Sequence, residues 1–437
     1  MMHRRRGRVV ILLAMGLATA FGAGRSESAE RRAPGKRPPV TLKVWIMQNA
    51  QYRSAESFTT LIRPFTQENP QVKVAVTVVP WAEAWNKIQG AIHGGPAPDI
   101  MQLGTTWVAT VAATGKLLDI SGEYDERLFP PQVLATTTSE APSGAKAQRF
   151  AMPWIVDSRA LYYNKAACAL AGVEVKKDLA TWASFKAALK KLKGIEVDGK
   201  RMQPFVVPRN NWDVVHTLSW WIWGFGGGFV SRTPEENGIN SPGSLAGVEF
   251  AIDLVREGLM LNGPENGSMR VIAAMLDKGE VAMAIGYPVA SLVDDRFGVA
   301  ILPAGPKGRF TFLGGSALAI LKSSKHPEEA LALIKLLSDE AVQFAYSNLT
   351  GFLPAAAAEY DELALKLDPV RTVFVEQMRY GKSYPSIPQW GTIENLLRDG
   401  FNSLWDRVEQ PGAYDEADVR RRLDELAKKI DAALRTP

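Results

Sequence analysis

The sequence predicts an α/β protein built as two lobes. Three observations support this. At 437 residues the chain exceeds the size at which one hydrophobic core keeps growing. Strand-like and helix-like segments alternate from Thr41 onward, which favours a mostly parallel sheet covered on both faces. The texture also shifts twice, near Phe150 and near Gly305, as it would where the chain passes between lobes.

In order, "TLKVWIM" (Thr41 to Met47) reads as a strand and "SAESFTTLIRPFTQENP" as a helix ended by Asn69-Pro70. "VKVAVTVV" is a second strand, "WAEAWNKIQGAIHGG" a helix closed by Gly94, and "PDIMQLG" a short buried strand. "QRFAMPWIVDSRALYYN" is one continuous strand-like run, after which helices dominate, with a hairpin signal at Asp198-Gly199. In "VAILPAGPKGRFTFLGGSALAI", Gly305, Pro306 and Gly308 separate two apolar strands. Pro327 then opens a long helix, "PEEALALIKLLSDEAVQFAYS". In the C-terminal helix Val419, Leu423, Leu426, Ile430 and Leu434 form one stripe that docks on a lobe.

The N-terminus has the plan of a secretory signal peptide over residues 1–23: Arg4, Arg5, Arg6 and Arg8, then an apolar run from Val9 to Leu17, then Ala18-Thr19-Ala20. An uncleaved anchor is the alternative. Residues 24–39, rich in Pro and Arg, read as a disordered tether. These two segments carry +4 and +3, and the remainder from Val40 carries −2, so the chain's net +5 comes entirely from them. Nucleic acid therefore loses its electrostatic support as a partner. Cys168 is the single cysteine, so no intramolecular disulfide or Cys-based metal site can form. It also lies far from the signal, which disfavours a lipoprotein and favours a free periplasmic protein.

No catalytic constellation stands out. His93, His216 and His326 lack metal-ligand spacing, "GGSAL" lacks the closing glycine of a nucleophile elbow, and "GFGGGF" lacks the Lys-Ser/Thr of a phosphate loop. Asp157 is an isolated acid, and a glycosidase would need a second carboxylate facing it.

"HTLSWWIWGFGGGFV" raises a different question. On a helix from Trp212 to Phe225, capped by Asn210 or Asn211 and stopped by Gly226 to Gly228, Val214, Leu218, Trp221, Ile222 and Phe225 form a core face. Asp213, His216, Thr217, Trp220, Trp223 and Gly224 collect opposite. That face is either packed against a neighbouring loop or a platform where an indole stacks on sugar C–H groups while polar side chains bind hydroxyls.

The order of "TLKVWIM", "PAPDIMQLGTTWVATVAATGKLLDIS", "FAMPWIVDSRALYYNKA", "TWASFKAALKKL", "KGEVAMAIGYP", "GVAILPAGPKG", "LGGSALAI" and "SKHPEEALALIKLLSDEAVQFAYSNLTGFLP" resembles the extracellular solute-binding proteins of bacterial ABC importers, in particular their maltose- and oligosaccharide-binding branch. The resemblance covers Val40 to the C-terminus. It implies the periplasmic binding protein type II fold, with two α/β lobes joined by a multi-strand hinge around a ligand cleft. Lobe 1 would comprise 40–153 and 307–358, and lobe 2 154–306 and 359–437, with hinges near Met152–Pro153, Ala304–Gly308 and Ala357–Asp361.

Carried over by motif, Asp157 resembles a sugar-hydroxyl ligand, Trp220 and Trp390 resemble stacking aromatics, and Tyr287 lies beside a further aromatic position. Gln48, Gln51, Thr106 and Trp107 occupy first-lobe binding loops, and Gly315 and Ser316 line the cleft. The charged first-lobe pair of maltose-binding protein is replaced by Thr106 and Trp107, so maltose itself is not implied. An aromatic cleft with few charges points to a neutral oligosaccharide.

The function so implied is capture of a carbohydrate by a periplasmic monomer and its delivery to inner-membrane permease subunits, with no cofactor and no covalent chemistry. The alternatives are a secreted glycosidase, a surface lectin, or a binding protein for glycerol phosphate or a polyamine. On this reading Trp220→Ala and Trp390→Ala would each weaken sugar binding by ~1 to 3 kcal/mol with little loss of stability.

Overall fold

Backbone pairing sorts the strands into two mixed sheets. The computed structural model describes residues 38–48, 53–138, 148–208, 212–233, 236–263, 269–289, 292, 295–357, 360–364, 368–408, 410 and 414–436. The predicted signal peptide, nearly all of the predicted tether, Gln51, Asn210 and Asn211 lie outside the described residues. No described helix is long and apolar enough to cross a membrane.

The strands that build the two sheets are, in chain order, β1 (Val40–Met47), β2 (Val72–Val79), β3 (Ile100–Gly104), β4 (Met152–Ser158), β5 (Ala160–Asn164), β6 (Gln203–Val207), β7 (Met260–Asn262), β8 (Val281–Gly286), β9 (Phe297–Ala300), β10 (Thr311–Ile320), β11 (Leu353–Pro354) and β12 (Gly381–Lys382). The first sheet runs β11-β4-β10-β3-β1-β2, with β12 pairing to β10. The second runs β9-β5-β8-β6-β7. Asp198 and Gly199, with φ of 51° and 74°, turn the predicted hairpin between Glu196–Val197 and Lys200–Arg201.

The expectation of mostly parallel sheets holds for half of each. β1 is parallel to β2 and β3, and β6 to β7 and β8. β10 is antiparallel to both its long neighbours, and β5 to β8 and β9. The antiparallel strands are those reached by crossing between sheets, where no helix is available to return the chain in the same direction.

The run read as one strand divides at Arg159, the single residue between β4 and β5. β4 stays in the first sheet as far as Ser158, so this crossing lies at Arg159 and not at Met152–Pro153. Alternation cannot mark the place, because almost every residue from Ala151 to Leu161 is buried. The return crossing lies between Ala300 and Thr311, around the predicted Ala304–Gly308. The expected helix from Pro327 to Ser347 is two helices, Pro327–Ser338 and Glu340–Thr350, because Asp339 is extended and caps the second with its carboxylate. The predicted Ser54–Asn69 helix is likewise broken at Ile62, two residues before Pro64, which sits in the first turn of the second helix.

Thr311 ties the two crossings together. Its buried hydroxyl accepts the Arg159 amide N–H at 3.0 Å and donates to the Arg159 carbonyl at 2.9 Å. Thr311→Val keeps the shape but strands both backbone groups, so it is expected to cost about 1–3 kcal/mol. A urea-unfolding midpoint equal to that of the parent would refute this assignment.

One hydrophobic cluster runs from the first sheet through Trp154, Val156, Ala160 and Tyr162 into the second. A second cluster holds the outer layer of the second sheet together with the helices Asp213–Gly224, Pro242–Arg256, Trp390–Val408 and Glu416–Leu434. The C-terminal stripe docks as expected, with Val419, Leu423, Leu426 and Ile430 buried.

Candidate ligand-binding site between the two sheets

Asp157 and Arg159 stand two apart on extended backbone and project to the same side. The Arg159 Nη2 lies 2.8 Å from Asp157 Oδ2 and 2.7 Å from Asp213 Oδ1. Asp213 opens the helix Asp213–Gly224, where the helix dipole favours an acid. The Tyr287 ring covers the guanidinium at 5.0 Å. Arg159 is 3% exposed, and among the described residues its Nε and Nη1 have no hydrogen-bond partner, nor has Asp157 Oδ1.

Burial pushes the Asp157 carboxyl up to about 6, helped by the like charge of Asp213 and opposed by Arg159. A fifth of its side chain stays accessible, but Arg159 and the strand around it are fully packed. For Arg159 burial works against the charge, yet the two carboxylates outweigh it and hold the guanidinium firmly protonated.

A second polar centre forms where the helix Trp390–Val408 meets the turn after β3. Glu394, one helical turn beyond Trp390, accepts from the Trp107 indole N–H at 2.9 Å and the Thr106 hydroxyl at 3.0 Å. The Gly391 amide donates to Thr110 Oγ1 at 2.9 Å. Glu394 is 1% exposed and its Oε1 has no partner among the described residues. The Trp390 N–H helps keep the carboxylate ionised, but its alignment falls short of a hydrogen bond. Burial raises Glu394 to about 7, against the hydrogen bonds from Thr106 and Trp107.

Tyr384 and His216 bridge the two centres. His216 Nδ1 and Tyr384 Oη are 3.1 Å apart; His216 lies flat on Phe312 at 3.8 Å, and Tyr384 stacks on Trp390 at 4.6 Å. Burial, and secondarily Arg159, drives the His216 pKa well below its ordinary value. Burial, followed by the charge of Glu394, lifts the Tyr384 hydroxyl well above its own. Around Trp107 gather Trp85 at 5.4 Å, Trp212 at 5.5 Å and Trp81 at 5.9 Å, and Trp212 carries Arg398 over its ring at 4.5 Å.

Several residues expected at the site thus meet along one seam: Thr106, Trp107, Asp157, Tyr287 and Trp390; Trp390 is nevertheless fully buried and stacked on Tyr384, so the expectation that Trp390→Ala spares stability does not hold. Gly315 lies beside it, its carbonyl facing the Thr105 hydroxyl at 3.4 Å. Its φ of 136° and the carbonyl of Ile155, which a Cβ would strike, both require glycine. Gln48, at the end of β1, is half-buried, its amide bonded to Val79.

Two residues fall elsewhere. Ser316 is buried within the first sheet and accepts from Gln102 Nε2 at 2.6 Å, so it does not line a cleft. Trp220 lies in the aromatic core with Trp182, Phe185 and Trp221, its N–H donating to the Pro303 carbonyl at 3.1 Å. The face opposite the expected core stripe is itself covered, by Trp182 and Phe185 over Trp220 and Gly224 and elsewhere by β10 and the helix Trp390–Val408, so Thr217, Trp220, Trp223 and Gly224 are all buried. Sequence reasoning missed Arg159, Tyr384 and Glu394. Two of them carried a signal: Arg159 sits two residues from Asp157 on a strand, and Glu394 four from Trp390 on a helix.

Glu394 gives stability a pH dependence of known sign. Its folded pKa of about 7 lies above its ordinary 4.5, so between these values the folded protein binds more proton than the unfolded chain. The resulting stabilisation is complete below the lower value and lost as pH rises through about 7. Asp157 acts with the same sign between 3.8 and about 6. Glu394→Gln is expected to remove about 2 kcal/mol of the stability difference between mildly acidic and mildly alkaline buffer. Urea unfolding of parent and variant at the two pH values checks it; equal slopes would refute it.

Comparison with known proteins places this architecture. Residues 60–371 match the bacterial extracellular solute-binding protein family. The diacetylchitobiose binding protein DasA of Streptomyces coelicolor is 25% identical over 370 residues, covering 81% of this chain and 82% of its own. The GacH receptor of Streptomyces glaucescens, solved unliganded and with acarbose, superposes with a TM-score of 0.75 at 23% identity, over 90% of this chain and 99% of its own. UgpB from Mycobacterium tuberculosis, solved with glycerophosphocholine, gives 0.72 at 20% identity, over 92% and 99%. The architecture is that of the two-lobed type II periplasmic binding protein fold. The chain belongs to the bacterial extracellular solute-binding proteins.

Proposed function

We propose that this chain is the substrate-binding component of an ABC importer for oligosaccharides, exported to the periplasm and acting as a monomer on inner-membrane permease subunits. One observation carries the reading. Buried hydrogen-bonding atoms contributed by both lobes, Asp157 Oδ1, Arg159 Nε and Nη1 and Glu394 Oε1, stand without partners beside the aromatic rings of Tyr384 and Trp390. Buried polar atoms call for partners, and a ligand with many hydroxyls and apolar ring faces supplies both kinds of contact.

Contacts made by both lobes bias the hinge toward the closed form, since ligand reaches both sets only there. Names among the relatives point the same way: DasA is a diacetylchitobiose binding protein and GacH was solved with acarbose. The glycosidase reading asks for two carboxylates with room between them for a glycosidic oxygen or water. Asp157 and Asp213 instead share one guanidinium, which occupies that position. Thermal shift against a panel of oligosaccharides, with glycerophosphocholine included, tests the proposal, because a ligand that binds only the folded protein raises the midpoint. Stabilisation without products on prolonged incubation supports transport; release of shorter sugars would establish a hydrolase instead.

A further inference from the structure

Carboxyl groups outnumber cations at the seam. Asp157 on β4, Asp213 at the start of the helix Asp213–Gly224 and Glu394 on the helix Trp390–Val408 face it, against the one guanidinium of Arg159. The other groups do not restore the balance. His216 is held neutral, and Tyr287 and Tyr384 carry no positive charge. Arg398, which covers Trp212 and is paired with Asp399 at 2.8 Å, opposes the Glu394 charge only as the smallest of several influences on it.

We propose that the ligand is cationic, an amino-substituted oligosaccharide whose ammonium group is held by the Asp157 and Glu394 carboxylates. This rests on the reading of the chain as an oligosaccharide-binding protein and narrows its substrate class. The expectation of a neutral ligand came from few charges at the predicted loops; the fold adds Arg159, Asp213 and Glu394 to the same seam.

Three features carry the proposal. Asp157 Oδ1 and Glu394 Oε1 are buried acceptors without donors among the described residues, and the charges of both carboxyls act on the Tyr384 hydroxyl, which meets His216 and stacks on Trp390 between the two centres. An ammonium donates to such acceptors with charge-assisted hydrogen bonds, where a hydroxyl gives only neutral-donor ones. The unpaired Nε and Nη1 of Arg159 do not make an anion site, because carboxylates flank the same guanidinium on both sides and would repel a phosphate. Sugar hydroxyl oxygens, in contrast, can accept from them. Burial raises both Asp157 and Glu394, and an ammonium beside them would favour their ionised forms.

The test is calorimetry at neutral pH with the chain as exported, using matched oligosaccharide pairs that differ only in a free amine against its N-acetyl or hydroxyl counterpart, with glycerol phosphate as the anionic arm. The amine member is expected to bind about tenfold tighter than its counterpart. Asp157→Asn and Glu394→Gln, tested separately so that one unstable variant does not decide the outcome, are each expected to reduce that ratio severalfold. Equal or tighter binding of the neutral members, or tightest binding of the phosphate, overturns the cationic assignment and leaves oligosaccharide capture or its phosphate alternative to stand alone. Absence of binding by every member overturns both the assignment and the reading beneath it.

Discussion

Trp220→Ala is expected to lower the free energy of unfolding by about 3–5 kcal/mol. Trp220 is 1% exposed, lies against Trp221 at 3.8 Å between ring centroids, and meets Trp182 and Phe185 at 5.9 Å each. Removing the indole leaves a cavity among rigid rings that cannot collapse into it. It also strands the Pro303 carbonyl in the crossing between β9 and β10. This replaces the expectation, drawn from the helical wheel and the resemblance, of weakened binding at unchanged stability. Urea unfolding separates the two, because a stable variant with a large loss of affinity would return Trp220 to the ligand and remove it from the core.

Arg159→Met is expected to cost a similar amount, about 3–5 kcal/mol, by leaving Asp157 and Asp213 buried without their shared counter-charge. Methionine preserves much of the side-chain volume, so the loss is electrostatic and not a matter of packing. Adding Asp157→Asn and Asp213→Asn to the same chain should recover most of it, since amides need no cation. Thermal and urea midpoints of the single and triple variants measure this. A single variant as stable as the parent would show that the cluster is solvated or that the carboxyls simply take up protons.

The same two residues show how much of the molecule was legible beforehand. The elements around them were readable because propensity, turn residues and alternation act locally: β1 to β3, the helix between Trp212 and Phe225 and the C-terminal stripe all form where their residues indicate. Failures came where neighbours distant in sequence decide. A helical wheel supplies two faces but not what covers each, so the face bearing Trp220 looked like a cleft, whereas Trp220 is packed against Trp182 and Phe185. A run buried on both sides has no period, so the crossing at Arg159 left no mark in it.

By itself the sequence determined an α/β chain with two lobes and its family membership, and it singled out Asp157, Thr106, Trp107 and Trp390, which the fold brings to one seam. Only the tertiary structure decided that Trp220 is core, that Arg159 joins Asp157 to Asp213, and that Glu394 closes on Thr106 and Trp107 from 287 or more positions away. The reason is physical. Local structure follows from each residue's own backbone and its nearest neighbours, whereas burial and ionisation depend on which surfaces meet, and that is a property of the assembled lobes.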